Sequence, residues 1–97
     1  MRIRNKELLE KGIIRHDNVR NALQNWIDFV EETEWKSHKD LKRDFPSADY
    51  IGNGRYVFNI QGNNYRLVVI LLFIKGYIRI RFFGTHAEYS KINSKTI

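Results

Sequence analysis

Two short polar turns divide the second half of this sequence into three segments with the composition of β-strands. The segments are residues 55–61, 64–74 and 77–84, and they are rich in Val, Ile, Phe and Tyr. Gly62-Asn63 and Lys75-Gly76 separate them, and gaps this short are typical of tight hairpins. Strands joined in succession by hairpins predict an antiparallel β-meander.

Two-residue loops at both turns would determine which residues lie opposite each other on neighbouring strands. The first loop then pairs Asn59 with Arg66, and the second pairs Ile70 with Arg81. Because opposed residues share a face of a sheet, the strands can be sorted into two faces. Any even loop length keeps this sorting, whereas a β-bulge would reverse part of one strand.

The two predicted faces differ in their chemistry. The first face, which has no charged residue and is expected to pack on helices, contains Tyr56, Phe58, Ile60, Tyr65, Leu67, Val69, Leu71, Phe73, Ile78, Ile80 and Phe82. The second face contains Arg55, Val57, Asn59, Gln61, Arg66, Val68, Ile70, Leu72, Arg79, Arg81 and Phe83. Its apolar residues make the second face too hydrophobic for a solvent-exposed surface with no binding role, so we expect a partner to cover part of it.

The first half of the chain has the apolar spacing of helices. The main helix is predicted within residues 16–35, and a shorter helix over residues 6–14 is predicted to be interrupted at Gly12. A third helix is expected to begin at Ser37, a typical N-cap residue, and to stop before Pro46.

These elements predict an α+β fold in which N-terminal helices pack on one face of an antiparallel β-meander and a short C-terminal helix follows. We expect a single domain over residues 1–97, helical over 1–48, with the sheet in 49–84 and the last helix in 85–93. No cysteine is present, and the longest apolar run, residues 67–74, is far shorter than the roughly 20 residues of a membrane-spanning helix. With no signal-peptide pattern at the N-terminus, a cytoplasmic protein that does not enter membranes is expected.

Positive charge is concentrated in the second half of the chain. Residues 1–51 carry ten Lys and Arg against ten Asp and Glu, whereas residues 52–97 carry seven basic residues against Glu88. Arginine presents a planar fork of donors that matches phosphate oxygens. Arginines paired with carboxylates are the alternative, but Glu88 is the one acidic partner nearby in the sequence. The second face therefore indicates a polyanionic partner, with nucleic acid favoured over a membrane.

Residues able to transfer a proton follow the third strand. Thr85 and Glu88 have the spacing of a capping box, which predicts a short helix with His86 in its first turn. Tyr89 would lie on the same side of that helix, and Lys91 follows it. These side chains are expected at the rim of the arginine-rich face, where they suit acid–base catalysis on a bound phosphodiester.

The same residues predict chemistry without a metal or another cofactor. His16 and His38 lie in the helical half, and their spacing to His86 is not that of metal ligands. The remaining route is cleavage of RNA by its own 2′-hydroxyl: a base removes the hydroxyl proton, cations stabilise the phosphorane, and an acid protonates the leaving 5′-oxygen. DNA lacks this nucleophile and should be inert.

Four phrases of the sequence point together to one known family. They are Trp35-Lys36, Phe45-Pro46-Ser47-Ala48, residues 56–69 with their Gly-Asn-x-Tyr-Arg phrase, and Gly84-Thr85-His86-Ala87-Glu88-Tyr89. In combination they closely resemble the HigB toxins, which belong to the RelE superfamily of type II toxin–antitoxin systems. The resemblance implies a RelE-like microbial RNase fold and metal-independent mRNA cleavage, usually on the translating ribosome. It also implies neutralisation by a HigA-type antitoxin with a helix-turn-helix domain.

The resemblance also assigns roles to individual positions. Arg66 and Arg81 match the superfamily's phosphate-stabilising arginines, and His86 and Tyr89 match its acid–base or base-stacking positions. Ser90 stands where the family phrase usually has aspartate, so Lys91 is expected to contact substrate only. The predicted catalytic residues are Arg66, Arg81, His86 and Tyr89, and the predicted RNA-binding residues are Arg55, Asn59, Arg79 and Lys91.

Two other functions stay open at this point. The arginine face is also suited to a non-catalytic module that binds RNA or ribosomal phosphates without cutting. A structural protein that docks an acidic partner on the same face is the third reading. Cleavage of RNA separates the first function from the other two.

Overall fold

Five β-strands form one mixed sheet in the computed structural model, which describes residues 1–97. The strands are β1 (Arg2–Arg4), β2 (Asp49–Gly52), β3 (Arg55–Ile60), β4 (Tyr65–Leu72) and β5 (Tyr77–Thr85). Their order across the sheet is β1-β5-β4-β3-β2. β1 and β5 are parallel and every other pair is antiparallel, so the predicted three-stranded meander is confirmed as the centre of a larger sheet.

The N-terminal strand β1 lies in a region for which the sequence predicted helices. It has three residues, too few for an alternating pattern to be recognised, and its partner β5 is distant in sequence. The fold is therefore α+β as predicted, but the sheet is not purely antiparallel.

Helices cover one face of this sheet. They are α1 (Glu7–Arg15), α2 (Arg20–Glu31) and α3 (His38–Asp44), and a 3₁₀ turn at Asp17–Val19 precedes α2. The predicted cap of α3 is confirmed, since the Ser37 hydroxyl accepts a hydrogen bond from the Asp40 backbone nitrogen at 3.4 Å. None of the helices combines the length and hydropathy needed to cross a membrane.

Gly12 does not interrupt α1, contrary to the sequence prediction. The helix continues through this residue, and the ring of Phe83 occupies the space beside it: a Cβ at Gly12 would lie 2.4 Å from Phe83 Cδ2. Gly12 therefore serves close packing between α1 and β5.

The first hairpin has the predicted register, with Asn59 opposite Arg66. In the second hairpin Leu72 pairs with Tyr77, so Ile70 lies opposite Arg79 and not opposite Arg81 as predicted. The loop is two residues longer than expected, and because this change is even it does not by itself move side chains to the other face.

A β-bulge in the middle of β5 changes the two faces from that point on. Val69 pairs with Ile80 and Val68 with Phe82, which leaves Arg81 as the extra residue. Phe82, predicted to be in the core, consequently lies on the face away from the helices. Phe83, predicted to be on that face, is buried against the helices instead.

The core lies between the helices and the face of the sheet that we call the core face. Residues of β3, β4 and β5 that were predicted to face the helices are buried, except for Phe82; Phe73, just after β4, is partly buried. Trp26 packs edge-on against Phe58 at 5.4 Å between ring centroids, and Trp35 is also buried there. The opposite side of the sheet, the outer face, is left for function.

Candidate active site

Side chains of the outer face form rows that run across the strands. One row contains Arg4, Arg79, Ile70 and Arg55, on β1, β5, β4 and β3 respectively; we call it the arginine row. The Arg66 row contains Gly84, Arg66 and Asn59. Between these rows lies the apolar row of Phe82, Val68 and Val57. Ile70 lies four positions after Arg66 on β4, so the two polar rows are roughly 13 Å apart at about 3.3 Å per residue.

Arg66 is held by an aromatic ring and not by a carboxylate. Its Cζ lies 5.5 Å from the centroid of the Tyr89 ring, within the range of a cation–π contact. Arg66 Nε is buried without a hydrogen-bond partner, and so is Oδ1 of Asn59, the residue directly opposite. Buried unpaired polar atoms are costly: the guanidinium N–H lacks an acceptor, which an anionic ligand would provide, and the amide oxygen lacks a donor.

The short helix α4 (His86–Tyr89) brings His86 and Tyr89 to the end of the Arg66 row. The predicted capping box is confirmed: Thr85 N donates to Glu88 Oε1 at 2.8 Å, and Glu88 N donates to Thr85 Oγ1 at 3.1 Å. The backbone nitrogen of His86 donates to the Asn64 carbonyl at 3.2 Å, which ties α4 to the first hairpin. The His86 side chain is exposed.

Glu88 is directed towards the helical layer. Its Oε2 accepts a hydrogen bond from Arg15 Nη2 at 2.7 Å, and its Oε1 lies 3.8 Å from His16 Nε2. The backbone hydrogen bond from Thr85 is the main cause of the lowered pKa of Glu88; burial opposes it, and the hydrogen bond and charge of Arg15 lower the pKa further. The one acidic residue of the C-terminal half is therefore paired with α1.

The arginines of the outer face have no carboxylate partner. The arginines that form ion pairs are Arg15, Arg20 and Arg43, and none of the pairs involves Arg4, Arg55, Arg66, Arg79 or Arg81. This weighs against the alternative that the outer-face arginines are structural ion-pair residues. Unpaired guanidinium groups on one face create the positive potential that attracts a polyanion.

Arg79 and Arg81 lie together but apart from Arg66. With Arg4, Asn5 and Glu7 they line an open surface cavity of about 540 Å³ at the corner of the sheet where β1 pairs with β5. No role was predicted for Arg4, because its place on this face depends on the pairing of β1 with β5. The sequence signal for a strand at Arg4 is the alternation Arg-Ile-Arg at residues 2–4, which is too short to predict a strand.

The C-terminal segment, residues 90–97, crosses part of the outer face. It leaves α4 beside Arg66, and it ends at Arg55, whose Nε and Nη2 donate to the Ile97 carbonyl at 2.9 and 2.6 Å. Val57 and Val68 are almost fully buried although they do not belong to the main core cluster. The chain's own segment thus provides cover that the sequence led us to expect from a partner.

The predicted RNA-binding residues consequently lie in different settings. Arg55 donates to Ile97 and also to the Asn53 carbonyl at 3.1 Å, whereas Arg79 is exposed in the corner cavity. Asn59 belongs to the Arg66 row, and Lys91 is exposed at the start of the C-terminal segment. No group of three or more His, Cys, Asp or Glu side chains is arranged to hold a metal ion.

Comparison with known proteins gives two matches. A family model described as HigB toxin, a RelE-like toxic component of a toxin–antitoxin system, matches residues 19–92. The chain is also 27% identical over 94 residues to the mRNA interferase HigB of Escherichia coli O6:H1 (strain CFT073). That alignment covers 95% of this chain and 91% of the relative.

Proposed function

The chain belongs to the HigB family of RelE-like toxins, and we propose that it cuts mRNA by metal-independent attack of the RNA 2′-hydroxyl on the neighbouring phosphate. It is the toxin of a toxin–antitoxin system with endoribonuclease activity. Within the proposal it has a RelE-like microbial RNase fold, works in the cytoplasm on mRNA held by the ribosome, and is neutralised by a HigA-type helix-turn-helix antitoxin.

The observation that carries the proposal is the unpaired state of Arg66. Its guanidinium is oriented by the Tyr89 ring, has no acidic partner, and lies beside the unsatisfied oxygen of Asn59. A phosphate seated there would accept hydrogen bonds from the guanidinium without displacing a protein carboxylate. Because the donors are already oriented, they favour the extra negative charge of the phosphorane transition state, an effect worth about 10²–10³-fold in rate for a single donor.

The proton transfers are assigned to the end of α4. His86 is the first candidate: it is exposed, begins the helix, and lies next to the strand that carries Arg66. A base takes the proton of the 2′-hydroxyl as its oxygen bonds to phosphorus, and an acid returns a proton to the 5′-oxygen as the P–O bond breaks. The products are a 2′,3′-cyclic phosphate and a free 5′-hydroxyl, with no net change in protons.

The remaining site residues hold the substrate. Arg81, in the bulge of β5, is proposed to assist Arg66 at the scissile phosphate. Arg79, Asn59 and Lys91 are proposed to contact the rest of the RNA. Arg55 acts in the same group if the C-terminal segment releases it on binding.

Cleavage of message on translating ribosomes tests the proposal. The protein, an Arg66→Ala variant and an Arg43→Ala control are incubated with ribosomes translating a defined mRNA, and the ends of the mRNA are mapped. EDTA is added at a concentration that spares ribosomal magnesium. Arg43→Ala removes the same positive charge as Arg66→Ala. Arg43 lies on α3, away from the outer face, so its variant serves as the control.

New mRNA ends with the unmodified protein and the Arg43→Ala variant, and their loss with the Arg66→Ala variant, support the proposal. A message with 2′-O-methyl groups should stay intact because it lacks the nucleophile. Intact unmodified message with all three proteins would contradict the nuclease proposal and favour a module that only binds RNA.

A further inference from the structure

The cavity at the β1–β5 corner of the outer face lies away from Arg66, and Arg81, which is proposed to act at the scissile phosphate, is one of the residues that line it. We infer that Arg4 and Arg79 there bind a second RNA phosphate, one that is not cleaved, so that the RNA strand crosses the outer face from the Arg66 row to the corner. This inference rests on the proposed function, and it gives the N-terminal strand a role in holding substrate.

The composition of the cavity fits a phosphate. All five lining residues are polar, and three of them, Arg4, Arg79 and Arg81, carry a guanidinium group. The opposing charge is the carboxylate of Glu7, which makes no ion pair. Three positive charges against one leave the cavity positive, and none of its arginines has its charge neutralised by a salt bridge.

Arg4 is oriented before any ligand binds. Its Cζ lies 4.6 Å from the centroid of the Tyr77 ring, a cation–π contact that holds the guanidinium over the ring without using its N–H groups. Arg79 lies directly opposite Arg4 on the neighbouring strand, so both side chains project from the same side of the sheet. Two adjacent guanidinium groups repel each other unless an anion lies between them.

The position of the cavity identifies which phosphate it would bind. The arginine row lies roughly 13 Å along the strands from the Arg66 row, farther than the spacing of neighbouring phosphates in one RNA strand. The corner cavity would therefore bind a phosphate that is at least two positions along the RNA strand from the cleaved phosphate. Arg81 lies on β5 between the two rows, beside the half-buried Phe82.

An alternative path for the RNA strand, along the β3 side of the outer face, is less favourable. The β3 side of the outer face is covered by the C-terminal segment, and Arg55 there is already bonded to Ile97. The β1–β5 side is open and carries Arg4, Arg79 and Arg81 without partners. An RNA strand that follows the unpaired charges is thereby directed to the corner.

Binding of a 2′-O-methyl RNA hexanucleotide, which cannot be cleaved, tests the inference. Its Kd is measured over a range of salt concentrations for the unmodified protein and for the Arg4→Gln, Glu7→Gln and Arg20→Gln variants, and a 2′-O-methyl dinucleotide is measured in parallel. Arg20 is exposed and paired with Asp17 in the helical layer, so Arg20→Gln is the matched charge control. Thermal unfolding checks that each variant is folded.

For Arg4→Gln we expect the Kd of the hexanucleotide to rise about fivefold at low salt. We also expect the slope of log K against log salt to fall by about 0.7, the contribution of one phosphate on a single strand. Glu7→Gln should lower the Kd, because it removes the carboxylate from the cavity. Dinucleotide binding should not respond to Arg4→Gln, since a dinucleotide is too short to reach both rows.

Equal Kd values and salt slopes for Arg4→Gln and Arg20→Gln would overturn the corner site while leaving message cleavage intact. Displacement of the hexanucleotide by a poly-glutamate peptide of the same charge, with equal affinity, would also overturn it, because the corner would then recognise charge and not phosphate. If the unmodified protein leaves message uncut but its hexanucleotide binding depends on Arg4, the nuclease proposal fails and the corner site stands.

Discussion

The guanidinium of Arg66 lies over the ring of Tyr89, with Cζ 5.5 Å from the ring centroid, while the Tyr89 hydroxyl lies 3.2 Å from Ser94 Oγ. The Tyr89 ring thus contacts Arg66, the residue proposed to bind the phosphate, and the Tyr89 hydroxyl is turned towards the C-terminal segment. This geometry separates two roles that the sequence left together for Tyr89: proton transfer through its oxygen and orientation of Arg66 through its ring.

Substitution of Tyr89 distinguishes these roles. Tyr89→Phe keeps the ring and should retain message cleavage within about tenfold, whereas Tyr89→Ala removes the support of Arg66 and should reduce the single-turnover rate by about 10²-fold. The rates are measured on message bound to the ribosome. A hundredfold loss with Tyr89→Phe alone would contradict the positioning role and make the hydroxyl a proton-transfer group.

Replacement of His86 tests the assignment of proton transfer. His86→Gln should lower the single-turnover cleavage rate by about 10²–10⁴-fold, the usual contribution of a positioned acid or base. The unfolding midpoint should not change, because the side chain is exposed and α4 is capped by Thr85 and Glu88. Binding of the uncleavable hexanucleotide should be nearly unchanged, and a loss of binding equal to the loss of rate would make His86 a substrate contact.

The central meander was predictable because its information is local. The hairpin at Gly62-Asn63 sets the pairing of Asn59 with Arg66, and the alternation of side chains then assigns the faces. Thr85 and Glu88 are three positions apart, so the capping box could also be predicted from residues close together in the sequence. The candidate catalytic group near Arg66 follows from these two local signals.

The β-bulge in β5 had no such local signal. Phe82 and Phe83 are both large and apolar, so alternation cannot tell which of them faces the core. The structure resolves this through a distant residue, since Gly12 on α1 leaves room for the ring of Phe83. The corner cavity was missed for a related reason: Arg4 joins Arg79 through a parallel pairing between the two ends of the sequence.

The Glu88 carboxylate should make stability depend on pH. Its pKa is lowered in the folded protein, chiefly by the backbone hydrogen bond from Thr85, so ionised Glu88 favours the folded state. That contribution is complete above the ordinary value of 4.5 and is lost as the pH falls through the lowered native pKa. Glu88→Gln should therefore reduce the free energy of unfolding at pH 7 by about 0.5–1 kcal/mol, and the difference should vanish in acid.

Chemical denaturation of both proteins between pH 7 and pH 3 measures this effect. Arg15→Gln supplies the matched variant, because Arg15 is the ion-pair partner of Glu88. In the Glu88→Gln background Arg15→Gln should have little further effect. A difference between the unmodified protein and Glu88→Gln that persists at the lowest pH would show that the carboxylate's charge is not the cause.

Close packing at Gly12 predicts that alanine is destabilising there, although alanine is the better helix former. A Cβ at this position would lie 2.4 Å from Phe83 Cδ2, and the Phe83 ring is itself stacked on Tyr65 with 5.5 Å between centroids. Overpacking of this kind costs about 1–3 kcal/mol, against roughly 1 kcal/mol gained in helix propensity. We expect Gly12→Ala to lower the free energy of unfolding and Lys11→Ala, at an exposed position of the same helix, to leave it nearly unchanged.

A second substitution on β5 separates overpacking from an effect on the helix itself. Phe83→Leu creates space beside Gly12, so in that background Gly12→Ala should lose its penalty and become neutral or stabilising. Urea denaturation of the four proteins gives the coupling between the two sites. Equal destabilisation by Gly12→Ala with Phe83 and with Leu at position 83 would contradict the packing explanation. Because Phe83 follows the bulge that carries Arg81, message cleavage should fall with Gly12→Ala and recover in the double variant.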